Sequence, residues 1–212
     1  MKSSVNPLRP DFALEDRVNG PACGLDEAGR GPLAGPVVAA CVYVPPAARD
    51  APFWAHVTDS KKLSAKKRED LYGLIRATTV HGIDQASVEE IDSMNILRAS
   101  LLAMKRAYDE VIAKHGGPLT ALVDGNQKPP LSCPVITVVR GDSTSLSIAA
   151  ASILAKVTRD RIMADLCGKF PFYGWSRNAG YGTAQHMEAI AAHGITPHHR
   201  RSFAPVTKAI SG

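Results

Sequence analysis

Three short apolar runs in this chain each hand over to an acid: ACGLDEA around Leu25, TALVDG around Val123 and PVITVVRGD around Val139. Short apolar runs bounded by turn residues are the pattern of buried strands. If the three end at a common edge of one sheet, Asp26, Glu27, Asp124 and Asp142 form a single acidic cluster. The first run poses a difficulty, because GLDEAGRGPLAG sets Asp26 beside Glu27. Successive side chains of a strand point to opposite faces, so one of the two acids is wasted unless the strand ends or bulges there.

The remaining segments supply an α/β frame. PVVAACVYV, 36–44, reads as a strand antiparallel to the first, since the Gly-rich connection between them is short. A helix capped by Ser64 follows, with Leu71, Leu74 and Ile75 on one face, and then a strand near Val80 to Ala86. Apolar positions at spacings of four and three predict a helix from about Ser93 to His115, closed by Gly116-Gly117. After Asp142 a long helix runs to about Phe170, and its Ala149-Ala150-Ala151 run lets it lie close to a sheet. A last helix is capped by Thr183 and stopped by Gly194. Residues 1–20 read as a loose lead-in and about 183–212 as a C-terminal helical part. With no internal repeat or linker, the 212 residues are expected to form one domain.

Composition narrows the function classes. No apolar run approaches the roughly 18 residues that suggest a membrane span. The N-terminal residues lack an apolar segment followed by a small-residue cleavage site, so a cytoplasmic address is the default. Cys23, Cys41, Cys133 and Cys167 are scattered without C-x-x-C spacing, which favours buried free thiols over a disulfide set or a zinc site. The net charge of +5 favours a polyanionic partner. Basic residues gather at Lys61, Lys62, Lys66, Lys67 and Arg68, and again at His198, His199, Arg200 and Arg201; a solvated surface is the plain alternative for each cluster.

Four carboxylates at close range cannot all stay ionised without a counter-charge, because like charges raise one another's pKa. A divalent cation resolves the conflict, and hard oxygen ligands favour Mg²⁺ or Mn²⁺ over zinc. Two such ions about 4 Å apart can activate a water and stabilise the leaving oxygen of a phosphodiester. The adjacent pair then has a purpose, since a strand end lets Asp26 and Glu27 splay around the ions.

Together with DSKKLS, VDGN, GDSTSLSIAAASILAKVTRDR, NAGYGTAQH and HHRRSFAPV, the segment GLDEAGRGPLAGPVVAA resembles the ribonuclease HII family, the bacterial type 2 ribonucleases H. The resemblance runs from about Cys23 to Val206. It implies a ribonuclease H-like fold, a mixed central β-sheet flanked by helices. It also implies hydrolysis of the RNA strand of an RNA–DNA hybrid and incision 5′ to ribonucleotides embedded in duplex DNA, leaving 3′-hydroxyl and 5′-phosphate ends. Such an activity serves ribonucleotide removal in DNA replication and repair. Carried over by position, the family's four metal-binding acids fall on Asp26, Glu27, Asp124 and Asp142, its glycine-arginine-glycine loop on Gly29, Arg30 and Gly31, and its substrate-sensing tyrosine on Tyr181. Lys61, Lys62, Lys156 and Arg159 are expected phosphate contacts, and a monomer is the expected state. One departure stands out: many family members are expected to carry a basic residue near the position of Thr144, so any such phosphate contact is either missing here or supplied by Arg140.

Two other classes compete. Gly29-Arg30-Gly31-Pro32-Leu33-Ala34 fits the dinucleotide-binding pattern, but that pattern needs a helix after the glycines and a strand is expected there. A non-catalytic nucleic-acid-binding module fits the charge yet has no use for an acidic cluster. The four acids alone also leave room for an exonuclease or a resolvase of the same fold.

Overall fold

In a computed structural model that describes residues 9–211, the apolar runs pair into a five-stranded mixed sheet. In chain order the elements are α1 (Ala13–Arg17), β1 (Ala22–Ala28), β2 (Val37–Tyr43), α2 (Ala65–Thr78), β3 (Val80–Ala86), α3 (Val88–Met94), α4 (Ile96–His115), β4 (Thr120–Asp124), β5 (Val135–Val138), α5 (Leu146–Lys169), α6 (Trp175–Asn178), α7 (Ala184–His193) and α8 (Ala204–Ser211). The strand order is β3-β2-β1-β4-β5. β2 pairs antiparallel with both β1 and β3, whereas β4 runs parallel to β1 and β5 parallel to β4. Those three parallel strands deliver their C-terminal ends to one edge of the sheet.

Each face of the sheet carries one long helix. Cys23 and Leu25 of β1 pack with Ala103, Met104 and Ala107 of α4 on one side. On the other, Ala40 and Val42 of β2 pack with Ala149, Ala150 and Ile153 of α5. The run of alanines brings α5 in so far that a Cβ on Gly24 would collide with the backbone of Ser147 and Ile148. Side chains smaller than a methyl are thus required at that crossing.

Most caps fall where the side chains predict them: Ser64 accepts from Lys67 N, Thr183 accepts from His186 N, and Gly116 closes α4 in the left-handed region. Four expectations need correction. The helix expected from Ser93 is two helices, because Asn95 adopts φ +74° and its Oδ1 caps α4 through Leu97 N and Arg98 N at 3.0 and 3.1 Å. Asn tolerates that conformation better than most residues, so an apolar period that runs through it conceals the break. The lead-in is not loose where it is described: Glu15 of α1 is buried and its Oε1 accepts from Ser145 Oγ, Ser147 N and Ser147 Oγ, capping α5. Residues 1–8 lie outside the described residues. Leu74, expected on the buried face of α2, is 46% exposed. In the second basic cluster His199 and Arg200 are buried, so the run HHRR is not a surface patch.

All four cysteines are free, with Cys23 and Cys41 buried. No helix among the described residues is long and apolar enough to cross a membrane.

Candidate active site

β1 resolves the difficulty of the adjacent acids by losing its β4 partner after Leu25, which leaves Asp26 and Glu27 at the open edge of that pairing. Strand alternation places Gly24 and Asp26 on the α5 side and Leu25 and Glu27 on the α4 side. Pairing with β4 stops at Leu25 while pairing with β2 runs on to Ala28, so Asp26 lies buried against Ser152 of α5 and Glu27 turns to the other face toward Arg30. β4 pairs Val123 with Leu25 and so sets Asp124 beside Asp26 at the same edge. β5 is shorter than its apolar run suggested, stopping at Val138. Asp142 is delivered instead by a 3-10 turn, Gly141–Ser143, which Asp124 itself holds by accepting from Gly141 N at 2.7 Å.

These four acids line one cleft of about 510 Å³ together with Gly29, Arg30, Gly31, Lys61, Lys156 and Tyr181. Burial, reinforced by Glu27 and Asp124, raises the Asp26 carboxyl well above its ordinary value, while Ser152 and the Glu27 N–H oppose the shift. Glu27 is raised by burial, against the pull of Arg30, whose Nη1 lies 3.3 Å from its Oε1. Asp142 is raised by burial and by Asp59 and Asp124, with Lys61 opposing. The donor set is therefore all oxygen and short of positive charge, which fits a hard divalent cation. It is not a finished cage: among the described residues no three His, Cys, Asp or Glu side chains close around one point, since Glu27 reaches to Arg30 and Asp124 is engaged with Gly141. A bound cation would draw Glu27 off Arg30.

The loop 29–31 and the ring of Tyr181 line the same cleft as the acids. Tyr181 is 51% exposed, and a Cβ on Gly31 would lie 3.2 Å from its Cε1, so loop and ring form one wall. The Tyr181 carbonyl accepts from His186 Nδ1 at 2.9 Å. That bond leaves His186 Nε2 to accept from Trp175 Nε1 and from His199 Nε2, each at 3.1 Å, a tautomer assigned from the hydrogen-bond network.

The expected phosphate contacts divide. Lys61 and Lys156 line the cleft, although Lys156 Nζ lies 2.5 Å from Asp160 Oδ1. Lys62 stands outside that lining, with Nζ 3.5 Å from Ser143 Oγ. Arg159 lines the cleft too but is 1% exposed, with its Nε, Nη1 and Nη2 bonded to backbone carbonyls. Thr144 donates its hydroxyl to Gly141 O, and Arg140 does not line the cleft. Arg68 of the first basic cluster lines it as well, as do Ser60 and Ser152, which the sequence did not single out, and Asp59, likewise unmarked, lies beside Asp142. Ser60 and Asp59 sit in the quoted DSKKLS segment, whereas Ser152 is hidden in a small-residue run and had no local signal.

A mixed sheet delivering four carboxylates to one edge, in a cleft that also holds Lys61, Arg68 and Lys156, places the chain in the ribonuclease H-like class of metal-dependent phosphodiester hydrolases. The family model described as Ribonuclease HII matches residues 23–206. A ribonuclease HII of Paramagnetospirillum magneticum is 57% identical over 199 residues, covering 94% of this chain and 98% of that protein. One of Rhodospirillum rubrum is 54% identical over 205 residues, covering 95% and 92%. The crystal structure of the ribonuclease H2 from Pyrococcus horikoshii OT3 superposes with a TM-score of 0.71 at 26% identity, over 91% of this chain and 98% of that one. The chain belongs to the ribonuclease HII family. It is a type 2 ribonuclease H, an endonuclease that depends on divalent metal and acts on nucleic acid.

Proposed function

We propose that this chain cuts the RNA strand of RNA–DNA hybrids and incises 5′ to single ribonucleotides in duplex DNA, using Asp26, Glu27, Asp124 and Asp142 to hold two divalent cations, Mn²⁺ or Mg²⁺. The observation that carries the reading is the convergence of the four acids in one cleft at a sheet edge, with the Asp26 carboxyl raised by burial and then by Glu27 and Asp124. When bound, the cations supply Lewis-acid stabilisation of the phosphodiester and a more acidic water. Asp26 is fixed from behind by Ser152 on α5 and by the Glu27 N–H, whose nitrogen is 2.7 Å from Oδ1. Asp124 fixes the Asp142 turn, so loss of Asp124 displaces two acids at once. Lys61 and Lys156 face the same cleft and attract the phosphate backbone without reading sequence.

The wall of Gly29, Arg30, Gly31 and Tyr181 selects the substrate. An enzyme seeking one ribonucleotide among deoxynucleotides can sense only the 2′-hydroxyl and the sugar shape. A site built to bond a hydroxyl rejects its absence strongly, because its own polar groups are then unpaired. All-DNA duplex therefore binds but is not cut. On this reading residues 1–212 act as one monomeric unit in the cytoplasm, serving ribonucleotide removal in replication and repair.

The test is hybrid cleavage by Asp124→Asn and Glu27→Gln proteins in Mn²⁺ or Mg²⁺. Each change keeps shape and removes charge, so folding persists and the rate falls by at least about 100-fold. Wild-type turnover by either variant contradicts the assignment.

A further inference from the structure

Arg159 and Arg200 are 1% and 0% exposed, and neither has a carboxylate within ion-pair distance among the described residues. Burying a charge without a partner ion is costly, and an apolar side chain of similar volume would fill the same space more cheaply. A guanidinium offers what an apolar side chain cannot, a rigid planar fork of donors. Both forks are spent on the backbone of two segments only. Arg200 donates from Nη2 to Gly29 O at 2.6 Å, from Nη1 to Arg30 O at 3.0 Å and from Nε to Gly35 O at 3.0 Å. Arg159 donates from Nη2 to Ala34 O at 3.0 Å, from Nε to Pro36 O at 3.0 Å and from Nη1 to Ala179 O at 2.9 Å.

The two segments are the loop 29–36 and the turn before Tyr181. Arg159 alone bridges them, and it grips Ala179, a non-glycine residue held at φ +49°. Such a conformation persists only where the surroundings over-determine it. Gly29, at φ +102°, leaves the space that the Arg159 side chain occupies, since a Cβ there would collide with the guanidinium stem. Burial lowers the pKa of Arg159 to about 10 and that of Arg200 to about 9, values at which both stay charged at neutral pH.

We propose that Arg159 and Arg200 are positioning residues for ribose selection: a two-guanidinium clamp turns the carbonyls of Gly29, Arg30 and Ala179 inward and so fixes the distance between the 29–31 loop and the Tyr181 ring. This rests on the reading that loop and ring sense the 2′-hydroxyl. Arg159 borders the cleft, but its Nε, Nη1 and Nη2 are each bonded to a backbone carbonyl, so it acts through the wall. An ammonium in place of either guanidinium keeps the charge but cannot hold three carbonyls in one plane, so the wall loosens while the acids and the cleft lysines stay in place. Misplacement of about 1 Å at such a wall lowers the rate on the order of 100-fold.

The experiment is single-turnover cleavage of a duplex with one embedded ribonucleotide by Arg159→Lys and Arg200→Lys, with enzyme in excess so that only bound substrate is followed. Binding of an all-DNA duplex in Ca²⁺ is measured beside it. The clamp predicts a cleavage rate reduced about 100-fold with all-DNA affinity at the wild-type value. It also predicts that guanidinium chloride restores cleavage by Arg200→Ala, whereas ammonium chloride at equal ionic strength does not. Lys variants that cut at the wild-type rate overturn the clamp, as does a loss of cleavage matched by an equal loss of all-DNA binding, or rescue by both salts alike. If the wild-type protein leaves the single-ribonucleotide duplex intact while cutting a hybrid, the underlying reading of the wall fails instead.

Discussion

Gly24 of β1 and Ile148 of α5 approach so closely that no side chain fits between strand and helix. The same crossing brings Ser152, one turn further along α5, to the Asp26 carboxyl, two residues further along β1. Helix packing and site geometry are therefore one contact. Gly24→Ala forces β1 and α5 apart, and we expect a loss on the order of 3 kcal/mol of stability. Because α5 also carries Ser152, activity should fall further than unfolding explains. Urea melts set beside cleavage at a temperature where the variant is folded separate the two effects.

The acidic cluster sets the stability of the metal-free protein. Burial and then Glu27 and Asp124 raise Asp26, so the folded state holds that proton more tightly than the unfolded chain does. Its favourable contribution is full below about pH 4, the ordinary carboxylate value, and is lost as pH rises through the raised value. Asp26→Asn should therefore melt higher than wild type at neutral pH in EDTA, and the gap should close on acidification. Thermal melts across that range check it, and added Mn²⁺ should reverse the order at neutral pH, since only the wild type keeps all four acids.

The buried histidines behave in the opposite sense. Burial and then His186 push His199 down to about 4, and its Nδ1 accepts from Thr196 N at 2.9 Å, a bond the charged ring cannot make. Stability from His199 is present above about pH 6.5, the unfolded value, and is lost as pH falls from there toward the folded value. His199→Gln keeps a donor toward His186 without titrating. Its melting temperature should change less between pH 7 and pH 5 than that of the wild type, and an equal change would remove His199 as the source.

Lys61 and Lys156 should differ as phosphate contacts. Each phosphate contact contributes about 0.9 to the log–log salt slope of binding. Lys61→Ala should lower the slope by about that much, while Lys156→Ala should lower it less, because Asp160 already engages its ammonium. Hybrid binding in Ca²⁺ over a range of salt measures both, and equal slopes for the two variants would contradict the distinction.

What was legible in the chain was local. An apolar run that ends in an acid marks its own strand end, so Asp26, Glu27 and Asp124 were placed correctly from their segments, and the short Gly-rich connection fixed the β1–β2 pairing. Ser64, Thr183 and Gly116 are caps whose chemistry depends on neighbours a few residues away. What could not be read depends on distant partners. Arg159 looks like any charge on a helix until Ala34, Pro36 and Ala179 surround it, and Arg200 sits in a basic run whose surface look is cancelled by the loop it grips. Glu15 is one acid in an aperiodic segment until Ser145 and Ser147 arrive from 130 and 132 residues away.

On the proposed function this cleft hydrolyses a phosphodiester only beside a ribonucleotide and only with a divalent cation. The direct measurement is end-mapped cleavage of two duplexes of one sequence, one all-DNA and one with a single ribonucleotide, with Mn²⁺, Mg²⁺ or EDTA. We expect one cut, 5′ to the ribonucleotide, leaving a 3′-hydroxyl, in the presence of either metal, and no cut in EDTA or in the all-DNA duplex. Comparable cleavage of both duplexes, or cleavage that persists in EDTA, would contradict it.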